Sequence, residues 1–142
     1  MASHYDSEKK CRVGLMDEKQ FFSEANEVNG IYFKALLEAW RNKEGSQQWG
    51  AGGLGLRSRM EGKEVGICFL APAFAGKKDR IELSFTNLAK QVAPARCETL
   101  KLALQAAAGD QFKGTSMVSI LDPGELPPAN RTALTTAMTA LL

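Results

Sequence analysis

Arg57 and Arg59 are separated by one residue in the run 53–60 (GLGLRSRM), where apolar and polar residues alternate as a strand requires. Strand spacing puts both guanidinium groups on one face, about 7 Å apart along the chain. The next run, 64–70 (EVGICFL), brings Gly66 and Cys68 to the same side if neighbouring strands pair in sequence order. On the same pairing, 81–86 (IELSFT) adds Glu82 and Ser84. The expected result is a shallow trough, cationic on one side and floored by small residues. Arginine forks read planar acceptors, so the trough suits an anionic small molecule, a nucleotide or an acidic partner. The competing reading is a solvated sheet face on which Arg and Glu offset one another. Arg57, Arg59, Cys68, Glu82 and Ser84 are the candidate ligand-binding residues.

Cys68 raises a question of chemistry as well as of binding. A thiol beside two guanidinium groups would have a lowered pKa and act as a nucleophile or redox centre. Against this, a free cysteine on a strand is usually a small buried residue. His4 is the only histidine, so no imidazole base is at hand inside the domain. The same count removes histidine-rich metal sites. No pair of carboxylates has a spacing that assigns general acid and base. Neither a catalytic group, a metal nor a cofactor is therefore expected.

The glycines Gly50, Gly52 and Gly55 match G-x-G-x-x-G. In a dinucleotide site that pattern follows a strand and opens a helix, so that phosphate meets the helix N-terminus. Here a strand follows, so the pattern reads as a glycine-rich lead into that strand. Kinase-type glycines would need H-R-D and D-F-G elements, and the chain has neither. A second assignment takes Arg57, Arg59, Lys77, Lys78 and Arg80 as phosphate contacts of a nucleic-acid binder. An RNA-binding sheet would display aromatics for base stacking, and this face displays Arg, Gly, Cys and Ser.

The elements that must position these residues follow from periodicity. Residues 1–14 are polar and aperiodic and read as a flexible tail. Asp17 caps a short helix over 18–25. A longer helix over 27–43, capped by Asn26, has Val28, Ile31, Tyr32, Ala35, Leu36, Ala39 and Trp40 at helical spacing, and Gly45 stops it. In the sheet, Leu54, Leu56 and Met60 share one face with Ile81, Leu83 and Phe85. The middle strand is apolar on both sides, with Val65, Ile67 and Phe69 bulky, and so belongs in the interior. Pro94 opens a helix over 95–108 whose Cys97, Leu100, Leu104 and Ala107 face the core. A fourth strand over 117–121 and a last helix over 129–142, striped by Leu134, Ala137, Met138, Leu141 and Leu142, complete the chain.

With 142 residues, 44% hydrophobic and 24% charged, the chain has enough apolar content for one self-sufficient core. The expected fold is α+β: a three- or four-stranded antiparallel meander sheet with an N-terminal helix and two C-terminal helices packed on one face, in a single domain over 15–142. No apolar run approaches the roughly 20 residues of a membrane span. No signal peptide is expected at the N-terminus, and Cys11, Cys68 and Cys97 form no CxxC pair; both point to the cytoplasm. The net charge of +2 is small, but ten basic against five acidic residues between Arg41 and Arg96 make the sheet region +5. The first-ranked function is a non-enzymatic binding module that forms a homodimer through its apolar C-terminal helix. The alternatives are a nucleic-acid binder and a small-molecule enzyme centred on Cys68.

Overall fold

The computed structural model describes residues 2–60, 62–73, 78–84, 88, 90–108, 117–121, 123–140 and 142. Its architecture is α+β. A five-stranded antiparallel sheet runs in the order β3 (Ser46–Trp49), β4 (Leu54–Met60), β5 (Lys63–Ala71), β6 (Arg80–Ser84) and β7 (Met117–Leu121). Strands pair in sequence order, as expected, and the fourth expected strand is present. The strand β3 is an addition: SQQW is too short and too polar to announce itself. Phe85 and Thr86, expected to extend β6, lie outside the described residues.

A two-stranded hairpin, β1 (His4–Asp6) and β2 (Cys11–Val13), precedes the helices α1 (Glu18–Glu24) and α2 (Glu27–Asn42). The reading of residues 1–14 as a flexible tail is corrected by this hairpin. Its anchor is polar, so no apolar stripe advertises it. Arg12 makes a bidentate pair with Glu24 at 2.8 and 3.0 Å, and the Ser3 hydroxyl donates to the Ala51 carbonyl. The Arg12 hydrogen bonds hold the Glu24 carboxyl below its usual range against the opposing effect of burial.

Both early helices are capped as expected. Asp17 accepts from the amide of Gln20, and Asn26 from that of Val28. The buried face of α2 differs from the expected stripe by one position. Asn29, Tyr32, Phe33, Leu36, Leu37 and Trp40 are inside, whereas Val28, Ile31 and Ala35 face out. Trp40 fixes this rotation, because its Nε1 donates to the carbonyls of Ser46 (3.1 Å) and Arg57 (3.0 Å) on the sheet. Gly45 makes room for that indole: a Cβ there would collide with the ring. The left-handed residue after the helix is Glu44 (φ 61°), not the glycine.

After β6 come α3 (Pro94–Ala108) and, beyond β7, a 3-10 turn at Pro123–Glu125 and α4 (Pro128–Thr139). Leu100, Leu104 and Ala107 of α3 and Leu134 and Met138 of α4 join Phe33, Leu36 and Trp40 in one apolar cluster. Leu54, Leu56, Ile81 and Leu83 supply its sheet side. Of the expected α4 stripe, Leu134 and Met138 are buried and Ala137 is partly buried, Leu142 is exposed, and Leu141 lies outside the described residues. A buried carboxylate ties three regions together. Asp79 accepts from the amides of Asn26 and Ala73 and from Asn29 Nδ2, while Asn29 Oδ1 accepts from the amide of Gly124.

Candidate functional site

The polar face of the sheet is set by strand register. Leu54, Leu56 and Ser58 of β4 lie opposite Leu70, Cys68 and Val65, on the core side. Gly55, Arg57 and Arg59 lie opposite Phe69, Gly66 and Glu64, on the other side. The two registers are joined by an irregularity after Leu56, where Ile67 is the extra residue. Such a bulge sets two consecutive residues against one partner and reverses the alternation beyond it. Ile67 and Cys68 therefore both enter the core, and Phe69 is turned to the polar face.

This corrects the placement of Cys68. Its side chain belongs to the core cluster, on the helix side, where its charge would act on the Tyr32 hydroxyl of α2. Burial pushes the thiol up to about 12, the opposite of activation. Its backbone borders the trough, but its sulfur does not face the arginines. Gly66, by contrast, is where expected. It is exposed and pairs with Arg57, whose Nη1 lies 3.8 Å from where a Cβ on Gly66 would stand. Gly55, opposite Phe69, leaves a second stretch of floor without a side chain.

Arg57 is held in place by its neighbours. Its Nε donates to Glu64 Oε1 (3.3 Å), one Nη to Gln48 Oε1 (3.2 Å) and the other to the Glu64 carbonyl (3.4 Å). A guanidinium carries five N–H groups, so one remains on each terminal nitrogen. The Glu64 carboxyl in turn accepts from the Ser46 hydroxyl (2.8 Å). That bond, with the charges of Arg57 and Arg59, holds it below the usual carboxylate range. Gln48 and Ser46 come from β3, which aligns Gln48 with Gly55 and Ser46 with Arg57.

At the other end of the trough, Glu82 sits opposite Phe69 and pairs with Arg80 at 2.7 Å. One rung across the sheet thus reads Gln48, Gly55, Phe69, Glu82 and Ser119. The cavity over it has a volume of about 350 Å³ and is bordered also by Trp49, whose ring packs edge-on against Phe21, and by Gly50. Ser84 follows Glu82 at the same alternation and pairs with Met117 beyond the end of the β5 ladder. Arg59 is exposed, one rung outside the cavity.

The structure therefore sets Arg57 and Glu82 at opposite ends of one cavity, with Gly66 beside Arg57 and Phe69 beside Glu82, and separates the Cys68 sulfur from both. The reading of sequence missed Gln48 and Phe69. No signal for Gln48 was available without β3. The continuous apolar run ICFLA conceals where its alternation reverses, so Phe69 could not be assigned to the polar face.

The basic residues of the alternative assignment are dispersed. Arg59 aligns with Glu64 and Arg80 with Ala71, seven residues apart on β5, which is roughly 23 Å. Arg57 and Arg80 are each paired with a carboxylate. Lys78 is exposed, and Lys77 lies outside the described residues. Among the described residues no group of three His, Cys, Asp or Glu is placed to hold a metal ion, and no helix is long and apolar enough to cross a membrane. No family model, curated protein or solved structure matches the chain.

Proposed function

We propose that this protein is a small non-enzymatic binding module that takes an organic monoanion in the trough of the five-stranded sheet. The observation that carries the reading is the Arg57 fork. Three of its N–H groups are engaged by Gln48 and Glu64, and the remaining two, one on each terminal nitrogen, suit the two oxygens of a carboxylate. Because the side chain is already ordered, binding forfeits little of its rotamer freedom. The bare backbone at Gly55 and Gly66 lets a flat molecule lie close to the sheet, and the Phe69 ring offers an apolar or aromatic contact. A cavity of about 350 Å³ is at the small end of ligand pockets.

Glu82 adds selectivity. Its carboxylate, paired with Arg80 through one oxygen, leaves the other to accept from a donor on the ligand, so a monoanion with an apolar or donor-bearing tail is preferred to a dianion. The dispersal of Arg59 and Arg80 argues against a surface that tracks a phosphate backbone. With the Cys68 sulfur in the core, a thiol-centred reaction in the trough has no nucleophile. The free cysteines fit a reducing compartment, and we place the protein in the cytoplasm.

The test is calorimetric titration with benzoate, phenylacetate and indole-acetate, followed also by Trp49 fluorescence. Wild-type protein is expected to bind at least one of them, and Arg57→Gln to weaken it roughly 10- to 100-fold, the worth of a charged hydrogen-bonded pair. Gly66→Leu, which fills the floor, is expected to abolish binding with the fold retained. No binding by the wild type, or binding that Arg57→Gln leaves intact, overturns the proposal.

A further inference from the structure

The outward ridge of α2 is apolar at its centre. Ile31 is 66% exposed and Val28 53%, and Ala35 continues the line. Large aliphatic side chains at this exposure, contiguous on one helix face, mark an interaction surface. Grooves flank the ridge on both sides, and Ile31 lines both. One, of about 550 Å³, lies between α1 and α2 over Phe22 and Leu37. The other, of about 360 Å³, lies between α2 and α4 beside Pro128 and Thr132.

The charges around the ridge identify what covers it. Glu27 stands four residues before Ile31 and Lys34 three residues after it, both exposed. Neither makes an ion pair with another described residue. We infer that this face docks a second copy of the chain, with the two α2 helices antiparallel and a two-fold axis passing beside Ile31. In that arrangement the two Ile31 side chains meet. Each Glu27 comes level with Lys34 of the second copy, to within one residue rise of about 1.5 Å. Parallel pairing would set Glu27 against Glu27 and Lys34 against Lys34. The pattern is therefore self-complementary in one orientation, which a two-fold interface demands of a single patch. Ridges seat in the grooves beside the facing helix, and here each copy supplies both.

Sedimentation equilibrium over a range of concentrations tests the inference. Wild-type protein is expected to show a monomer–dimer equilibrium. Ile31→Glu is expected to weaken it roughly thirtyfold or more, as removal of a central apolar anchor does. Lys34→Glu is expected to weaken it roughly tenfold by placing like charges together, and the double exchange Glu27→Lys with Lys34→Glu to bring it back within about threefold of wild type. These positions are exposed, so circular dichroism is expected to show an unchanged fold. A wild-type chain that stays monomeric at several hundred micromolar overturns the inference, on the order of the weakest specific dimers. So does a dimer that Ile31→Glu leaves intact, or a double exchange that fails to restore what Lys34→Glu removes.

Discussion

Arg57, Cys68 and Asp79 show how one side chain's worth depends on what it faces. The thiol of Cys68 is raised by burial to about 12, and the hydroxyl of Tyr32, also chiefly by burial, to about 12. Their ordinary values are 9.0 and 10.0, so on raising the pH the unfolded chain releases these protons before the folded one. The stability these groups supply is complete below pH 9 and lost as the pH rises toward 12. Urea melts at pH 8, 9.5 and 11 are expected to show a falling midpoint, and a flat profile would contradict the burial of both groups. Iodoacetamide is expected to modify exposed Cys11 quickly in the native protein and Cys68 only after unfolding. Asp79 is a buried carboxylate with three donors. Asp79→Ala leaves them without an acceptor and is expected to cost about 3 kcal/mol or more, measured by chemical denaturation.

At the scale of the element, the bulge in β5 decides the composition of the trough. Without it, strict alternation would keep Cys68 beside Arg57 and send Phe69 into the core. The face-sharing of Leu54 and Leu56 and of Ile81 and Leu83 was legible because each strand alternates cleanly over a polar side. In β5 both faces are apolar, and a shift of one residue exchanges one apolar side chain for another without a mark in the sequence. The α2 stripe failed for a related reason. Its apolar residues extend more than halfway round the helix, and the hydrogen bonds of Trp40 and Asn29 choose which of them face the core. The caps, by contrast, were legible at Asp17 and Asn26, because they depend on contacts within three residues. The approach of β4 to β5 also rests on a local fit. A Cβ at Gly53 would run into the carbonyl of Leu70, a backbone atom that the paired strand holds in place. Gly53→Ala is expected to lower stability by about 1–3 kcal/mol, readable as a shift in thermal midpoint.

For the whole molecule, only the β4–β5 hairpin was legible, from its short turn at Gly62. The order of the remaining strands was a condition of the trough rather than a reading, because the chain between β6 and β7 is long enough to reach either edge. The docking of residues 2–14 rests on polar contacts that no periodicity reports. Charge is organised at this scale too. Among the described residues the excess of basic residues in the sheet region is interrupted by internal pairs, Arg57 with Glu64 and Arg80 with Glu82. Weak retention on heparin is expected, with elution below roughly 0.15 M salt; retention well beyond that would favour a polyanion partner. The linkage through Asn29 has a temporal meaning as well. Its bonds to Asp79 and to Gly124 span 50 and 95 residues of chain. Contacts between such distant partners form only after the intervening loops have closed. The Gly124 amide is thus expected to find its acceptor late in folding. Slow exchange of that amide with solvent deuterium, at the rate of the core amides, is the measurement that checks whether the two regions open together.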